Sequence, residues 1–128
     1  GFTHCPDVCP TTLGDMQYGL SRLGEDADKI QVFFVTTDPE RDTVDVMAEY
    51  VSWFSDDITG LTGNADEMAE MVSAWGVYTR KVPIDGGGYN VDHTASVFML
   101  DRDGRFFRDD RLRRRPGDRL HQGQAPCR

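Results

Sequence analysis

Residues 30–38 read Ile-Gln-Val-Phe-Phe-Val-Thr-Thr-Asp, a continuous β-branched and aromatic run. It is too short for a typical helix, so it reads as a strand buried on both faces. On its N-terminal side Leu13, Met16, Leu20 and Leu23 recur at helical spacing after Pro10, and Gly24 supplies a stop. On its C-terminal side Asp-Pro-Glu-Arg-Asp-Thr (38–43) turns the chain into a second helix carrying Val44, Met47, Tyr50, Val51 and Phe54. A short strand at 58–61 follows. Asn64 then opens a third helix, with Glu67 three residues on as in a capping box and Met68, Met71, Val72 and Trp75 on its apolar face. Residues 77–82 read as a short strand, 85–90 (Asp-Gly-Gly-Gly-Tyr-Asn) as a flexible loop, and 95–101 with 105–108 as a hairpin turning at Asp101 to Gly104. Crossover helices between strands, followed by an antiparallel pair, predict an α/β sandwich of thioredoxin type. That fold places a strand just before its first helix, and the reading expects the N-terminal strands and the closing C-terminal helix to be missing from this sequence.

The 128 residues, 38% of them hydrophobic, suffice for one modest core. Charge divides the chain unevenly. Residues 1–101 carry 18 acidic and 5 basic side chains, whereas 102–128 carry 4 and 9. The division of the chain is accordingly a folded domain at 1–108 and a basic, irregular tail at 109–128. An acidic body repels phosphates, which argues against nucleic acid as a partner and suits a cation. No apolar run approaches the roughly 18 residues of a membrane span. Three cysteines make no disulfide framework, and Cys127 lies in the tail.

The remaining pair stands in Gly-Phe-Thr-His-Cys-Pro-Asp-Val-Cys-Pro (1–10), at a loop-to-helix junction rather than in a core. On one incipient helical turn Cys5 and Cys9 present both sulfurs to the same side, and the helix amides favour thiolate there. Three intervening residues make a wider loop than the Cys-x-x-Cys of dithiol oxidoreductases, which tilts the reading toward a metal without removing redox exchange. A third ligand beside two thiolates would suit copper or zinc if it were an imidazole. His4 reads as a solvent-facing loop residue and His121 belongs to the tail. His93 sits in Gly-Gly-Gly-Tyr-Asn-Val-Asp-His-Thr (86–94), where the glycines predict a mobile loop just before a central strand, a place where scaffolds present functional side chains. Asp38, at the end of the first strand, and Asp92, beside His93, could orient the imidazole or a ligand loop from behind. The five methionines fall on apolar faces and read as core.

Taken in order, GFTHCPDVCPTTL, DPERDT, GLTG, WGVYTRKV and YNVDHTASVFMLDRDGRF resemble the SCO/SenC proteins, copper chaperones of cytochrome c oxidase assembly, from Gly1 to about Phe107. The resemblance implies a thioredoxin-like fold and a copper ion, as Cu(I) or Cu(II), held by Cys5, Cys9 and His93. Asp38 matches the family's aspartate near the cysteine loop. It further implies copper delivery to the copper-site subunit of the oxidase, with other copper carriers as further partners. Placement on the extracytoplasmic face of a membrane, through an anchor absent from this chain, is also implied. The alternative is a thiol-disulfide oxidoreductase in which Cys5 and Cys9 cycle between dithiol and disulfide and reduce the cysteines of that same oxidase site. Whether the chain is an enzyme stays open between these two.

Overall fold

The computed structural model describes residues 1–6 and 8–109. Apart from the backbone of Asp109, the tail read at 109–128 lies outside the described residues, and so do His121 and Cys127.

Helix α1 spans Val8–Leu23 and begins one turn earlier than the periodicity of its apolar residues suggests. Pro10 sits in that first turn, where its missing N–H removes no helical bond. Cys9, Leu13 and Leu20 form the buried stripe. Gly24, at φ 57°, ends the helix as read, and a 3-10 segment (Gly24–Lys29) leads into strand β1, Val32–Val35. The strand is shorter than the apolar run 30–38, because Thr36 to Asp38 already turn toward helix α2 (Val44–Ser52). Thr43 caps α2 by accepting from the amide of Val46.

Strand β2, Ile58–Leu61, returns parallel to β1 with Val32 opposite Ile58 and Val35 opposite Leu61. Gly60 lets α2 lie close on β2, since a Cβ there would stand 3.1 Å from Met47 Cβ and 3.2 Å from its carbonyl oxygen. Helix α3 (Ala65–Ala74) has the capping box read from Asn64 and Glu67.

The next segment differs from the reading. Residues 85–90 are a hairpin turn and strand start rather than a flexible loop, because Gly86, Gly87 and Gly88 all adopt φ between 81° and 99°, which glycine alone reaches without strain. They join β3 (Thr79–Pro83) to β4 (Tyr89–His93), antiparallel, with Thr79 opposite His93. The second hairpin, β5 (Phe98–Leu100) with β6 (Phe106–Asp109), turns where expected, and Asp101 Oδ1 accepts the amides of Asp103 and Arg105.

Among the described residues the six strands form three pairs, not one continuous sheet. Gly1 lies against the end of β1, donating from its backbone nitrogen to Val35 O at 3.1 Å and accepting from Thr37 N at 2.7 Å. The core gathers α1, α2, β1, β2 and β4 around Phe2, Leu13, Phe34, Met47, Val51 and Val91.

Candidate metal centre

Cys5 precedes α1 and Cys9 lies in its first turn, so the amide of Cys9 points back along the helix axis and donates to Cys5 Sγ at 3.4 Å. The Cys5 sulfur thus occupies the electropositive end of the helix. The junction is also part of the core, contrary to the expectation from sequence. Cys5 and Cys9 are 5% and 4% exposed and pack among Phe2, Leu13 and Phe34. The reason is close approach behind the sulfurs: a Cβ on Gly1 would fall 2.6 Å from both Cys9 Sγ and the Phe34 ring.

His93 arrives from the far side. It is the last residue of β4 rather than part of a mobile loop, and alternation along that strand puts Tyr89, Val91 and His93 on one face. Its Nδ1 lies 2.9 Å from Thr94 O. A carbonyl only accepts, so Nδ1 carries the proton and Nε2 presents its lone pair, 3.5 Å from Cys9 Sγ. The ring of Phe2, fully buried, meets the imidazole edge-on at 5.6 Å.

The sulfurs of Cys5 and Cys9 and a ring nitrogen of His93 lie within 4.8 Å of one another. One ion bridges a sulfur and a nitrogen when their separation is below the sum of two bonds of about 2.3 and 2.1 Å. The 3.5 Å between Cys9 and His93 meets that condition as it stands. Two soft thiolates with one imidazole fit copper or zinc better than a hard, oxygen-seeking cation. Burial sets the protonation of the group: it pushes the Cys9 thiol up. The same burial lowers His93 to about 4.

Asp38 is 1% exposed, and its carboxylate accepts from Tyr89 Oη at 2.6 Å and from Arg41 Nε. Burial first, then that carboxylate, raise the Tyr89 phenol to about 12. Asp92 is buried beside His93, and strand alternation directs it to the opposite face of the ribbon from the ring. The group that fixes the imidazole is the Thr94 carbonyl, which no side-chain pattern announces. His4 is exposed, as read, with Nδ1 3.2 Å from Thr3 Oγ1. Sequence reasoning passed over Phe2, Tyr89 and Asp42. The alternation of Tyr89, Val91 and His93 was a visible signal for the first two residues of that strand face.

A family model described as SCO1/SenC matches residues 1–117. The mitochondrial SCO2 homolog of Bos taurus is 40% identical over 109 residues, covering 83% of this chain and 41% of that protein. The mitochondrial SCO2 protein of Saccharomyces cerevisiae is also 40% identical over 109 residues, 83% of this chain and 36% of its own length. The chain therefore spans about two-fifths of the length of these curated relatives. The structure of Bradyrhizobium japonicum ScoI with copper bound superposes with a TM-score of 0.83 at 43% identity, over 95% of this chain and 78% of that one. Yeast Sco1 with copper bound gives 0.75 at 30% identity, over 97% and 78%. The fold is thioredoxin-like, and the chain belongs to the SCO1/SenC family.

Proposed function

We propose that this chain is a copper metallochaperone acting in cytochrome c oxidase assembly, in which residues 1–108 form the copper-binding unit and Cys5, Cys9 and His93 hold the cargo. The observation that carries the reading is the buried sulfur–sulfur–imidazole group with the lone pair of Nε2 aimed at Cys9. Copper-bound relatives of the same fold support it. The two thiolates satisfy Cu(I), while the imidazole matters most for Cu(II), a borderline ion that favours nitrogen. The recipient is the binuclear copper site of the oxidase subunit, reached from the extracytoplasmic face of a membrane. Among the described residues no helix is long and apolar enough to cross a membrane.

Competition titration against a Cu(I) chelator tests the reading. Cys5→Ser and Cys9→Ser should each abolish tight binding, and a serine variant that binds like the parent sinks the dithiolate site. The second reading, reduction of the oxidase cysteines by the Cys5–Cys9 pair, is favoured by the helix amide directed at Cys5 Sγ, which stabilises the thiolate that exchange needs. His93→Ala separates the two. In the chaperone it should alter the Cu(II) spectrum and weaken Cu(II) retention about tenfold, leaving reduction of a model disulfide nearly unchanged. Loss of exchange with an intact Cu(II) spectrum transfers the function to the redox reading.

A further inference from the structure

We infer that Asp42 is a positioning residue that locks the cysteine loop to the turn at 38–42, and that this turn grips both halves of the ligand set. The inference deepens the copper reading and rests on it for its consequence, though not for its geometry. Asp42 is fully buried, and its carboxylate meets three donors. The Thr3 amide donates to Oδ2 at 3.0 Å, the Thr3 hydroxyl to Oδ1, and the Thr36 hydroxyl to Oδ2 at 2.7 Å. Three donors and no acceptor is a socket for an acceptor-only side chain, and the two bonds to Thr3 fall two residues ahead of Cys5.

The socket itself is braced. Asp42 N donates to Asp38 O at 3.0 Å, and Thr62 Oγ1 donates to Asp42 O at 2.7 Å, tying the turn to the end of β2. Thr36, fully buried, also accepts the amide of Asp38 at 2.9 Å, so one hydroxyl joins the two aspartates. From the other end of the turn Asp38 takes the Tyr89 hydroxyl, and the Arg41 guanidinium lies 3.9 Å over the Tyr89 ring. Tyr89 stands on the same face of β4 as His93. One turn therefore holds the loop that carries the sulfurs with Asp42 and the strand that carries the imidazole with Asp38. His4 approaches both carboxylates, but their oxygens are already engaged by Thr3, Thr36, Tyr89 and Arg41, and the group serves as an anchor rather than a cation site.

Asn suits the socket where Ala does not. Its oxygen keeps the Thr3 amide and the Thr36 hydroxyl, and its NH2 donates to Thr3 Oγ1 once that hydroxyl turns to His4 Nδ1, 3.2 Å away. The test uses the full chain, reduced and copper-free, and measures alkylation of Cys5 by iodoacetamide, resolved by peptide mass spectrometry, from zero to moderate urea. Asp42→Ala should speed Cys5 alkylation at least tenfold with little dependence on urea, the mark of local opening. Asp42→Asn should stay within about threefold of the parent, and Thr3→Val, which removes only the hydroxyl bond, should fall between. An unchanged rate in Asp42→Ala overturns the inference, as does a rise that tracks global unfolding in urea. If Asp42→Ala does not fold, Thr3→Val decides by the same criteria. In the copper-loaded protein Asp42→Ala should release copper at least tenfold faster. A parent chain that takes up no copper refutes the proposed function, while the alkylation arms still judge the anchor.

Discussion

Acid should unfold the copper-free protein through His93, and the size of the effect follows from where the ring sits. Burial at 2% exposure lowers the pKa from 6.5 to about 4. A folded-state value below the unfolded one means that the unfolded chain takes up this proton first as pH falls. The associated stability is complete above about pH 6.5, is lost at about 1.4 kcal/mol per pH unit below it, and stops changing on this group's account near pH 4. Between pH 7.5 and 4.5 the loss comes to about 2.5 kcal/mol, a large share of the roughly 5–15 kcal/mol that holds a domain together. Urea unfolding with a metal chelator present, at unit pH intervals, should show it by comparison with His93→Asn. The variant starts less stable, having lost the fit against Phe2, but its profile should be flatter by about 2.5 kcal/mol across that range. Carboxylates shared by both proteins cancel in the difference. Parallel profiles would show that the ring is solvated or already charged in the fold, and the lone-pair assignment at Nε2 would fall with it.

Gly1→Ala should cost about 1–3 kcal/mol, because the added methyl would stand 2.6 Å from Cys9 Sγ and the Phe34 ring; chemical denaturation checks it, and an unchanged midpoint means that the backbone at Gly1 moves freely. Met47→Ala, at a site 1% exposed between α2 and β2, should cost about 2–5 kcal/mol in the same assay. Asn64→Ala removes the side-chain acceptor for the Glu67 amide and should cost about 1 kcal/mol, with Asn64→Gly milder.

How much of this was legible turned on which physical signal each element carries. The three helices were readable because apolar spacing and caps are local: Gly24, Thr43 and Asn64 sit where the helices end or begin. The β3–β4 hairpin was not, because three consecutive glycines look like slack in a sequence, and only their shared positive φ shows a tight turn. Missing that turn displaced His93 from a strand end to a loop, although residue type and the cysteine pair still marked it as the third ligand candidate. The depth of the cysteines was hidden for a different reason. Cys5 and Cys9 flank prolines and a polar loop, but what buries them is contact with Phe2 and Phe34, which no periodicity encodes. Asp42 was invisible for the same cause: an aspartate in Asp-Pro-Glu-Arg-Asp-Thr reads as a turn former until the donors around it are seen to be Thr3 and Thr36.

Burial of Cys5, Cys9 and His93 bears on the copper uptake proposed for them. The same desolvation that keeps His93 neutral also keeps Cys9 protonated, so without metal the site holds its Cys9 proton and spares its imidazole lone pair. A cation entering at neutral pH must therefore displace a proton from Cys9, whereas His93 has none to give up at Nε2. Cu(I) affinity measured by competition should then rise about tenfold per pH unit between pH 6 and 8, with at least one proton released per copper bound. His93→Ala should leave that slope in place while lowering Cu(II) retention. An affinity independent of pH would mean that Cys9 is already a thiolate in the fold, and that the helix end, not burial, governs the sulfur. The slope thus distinguishes a dry site that trades a proton for its metal from an open one that waits as an anion.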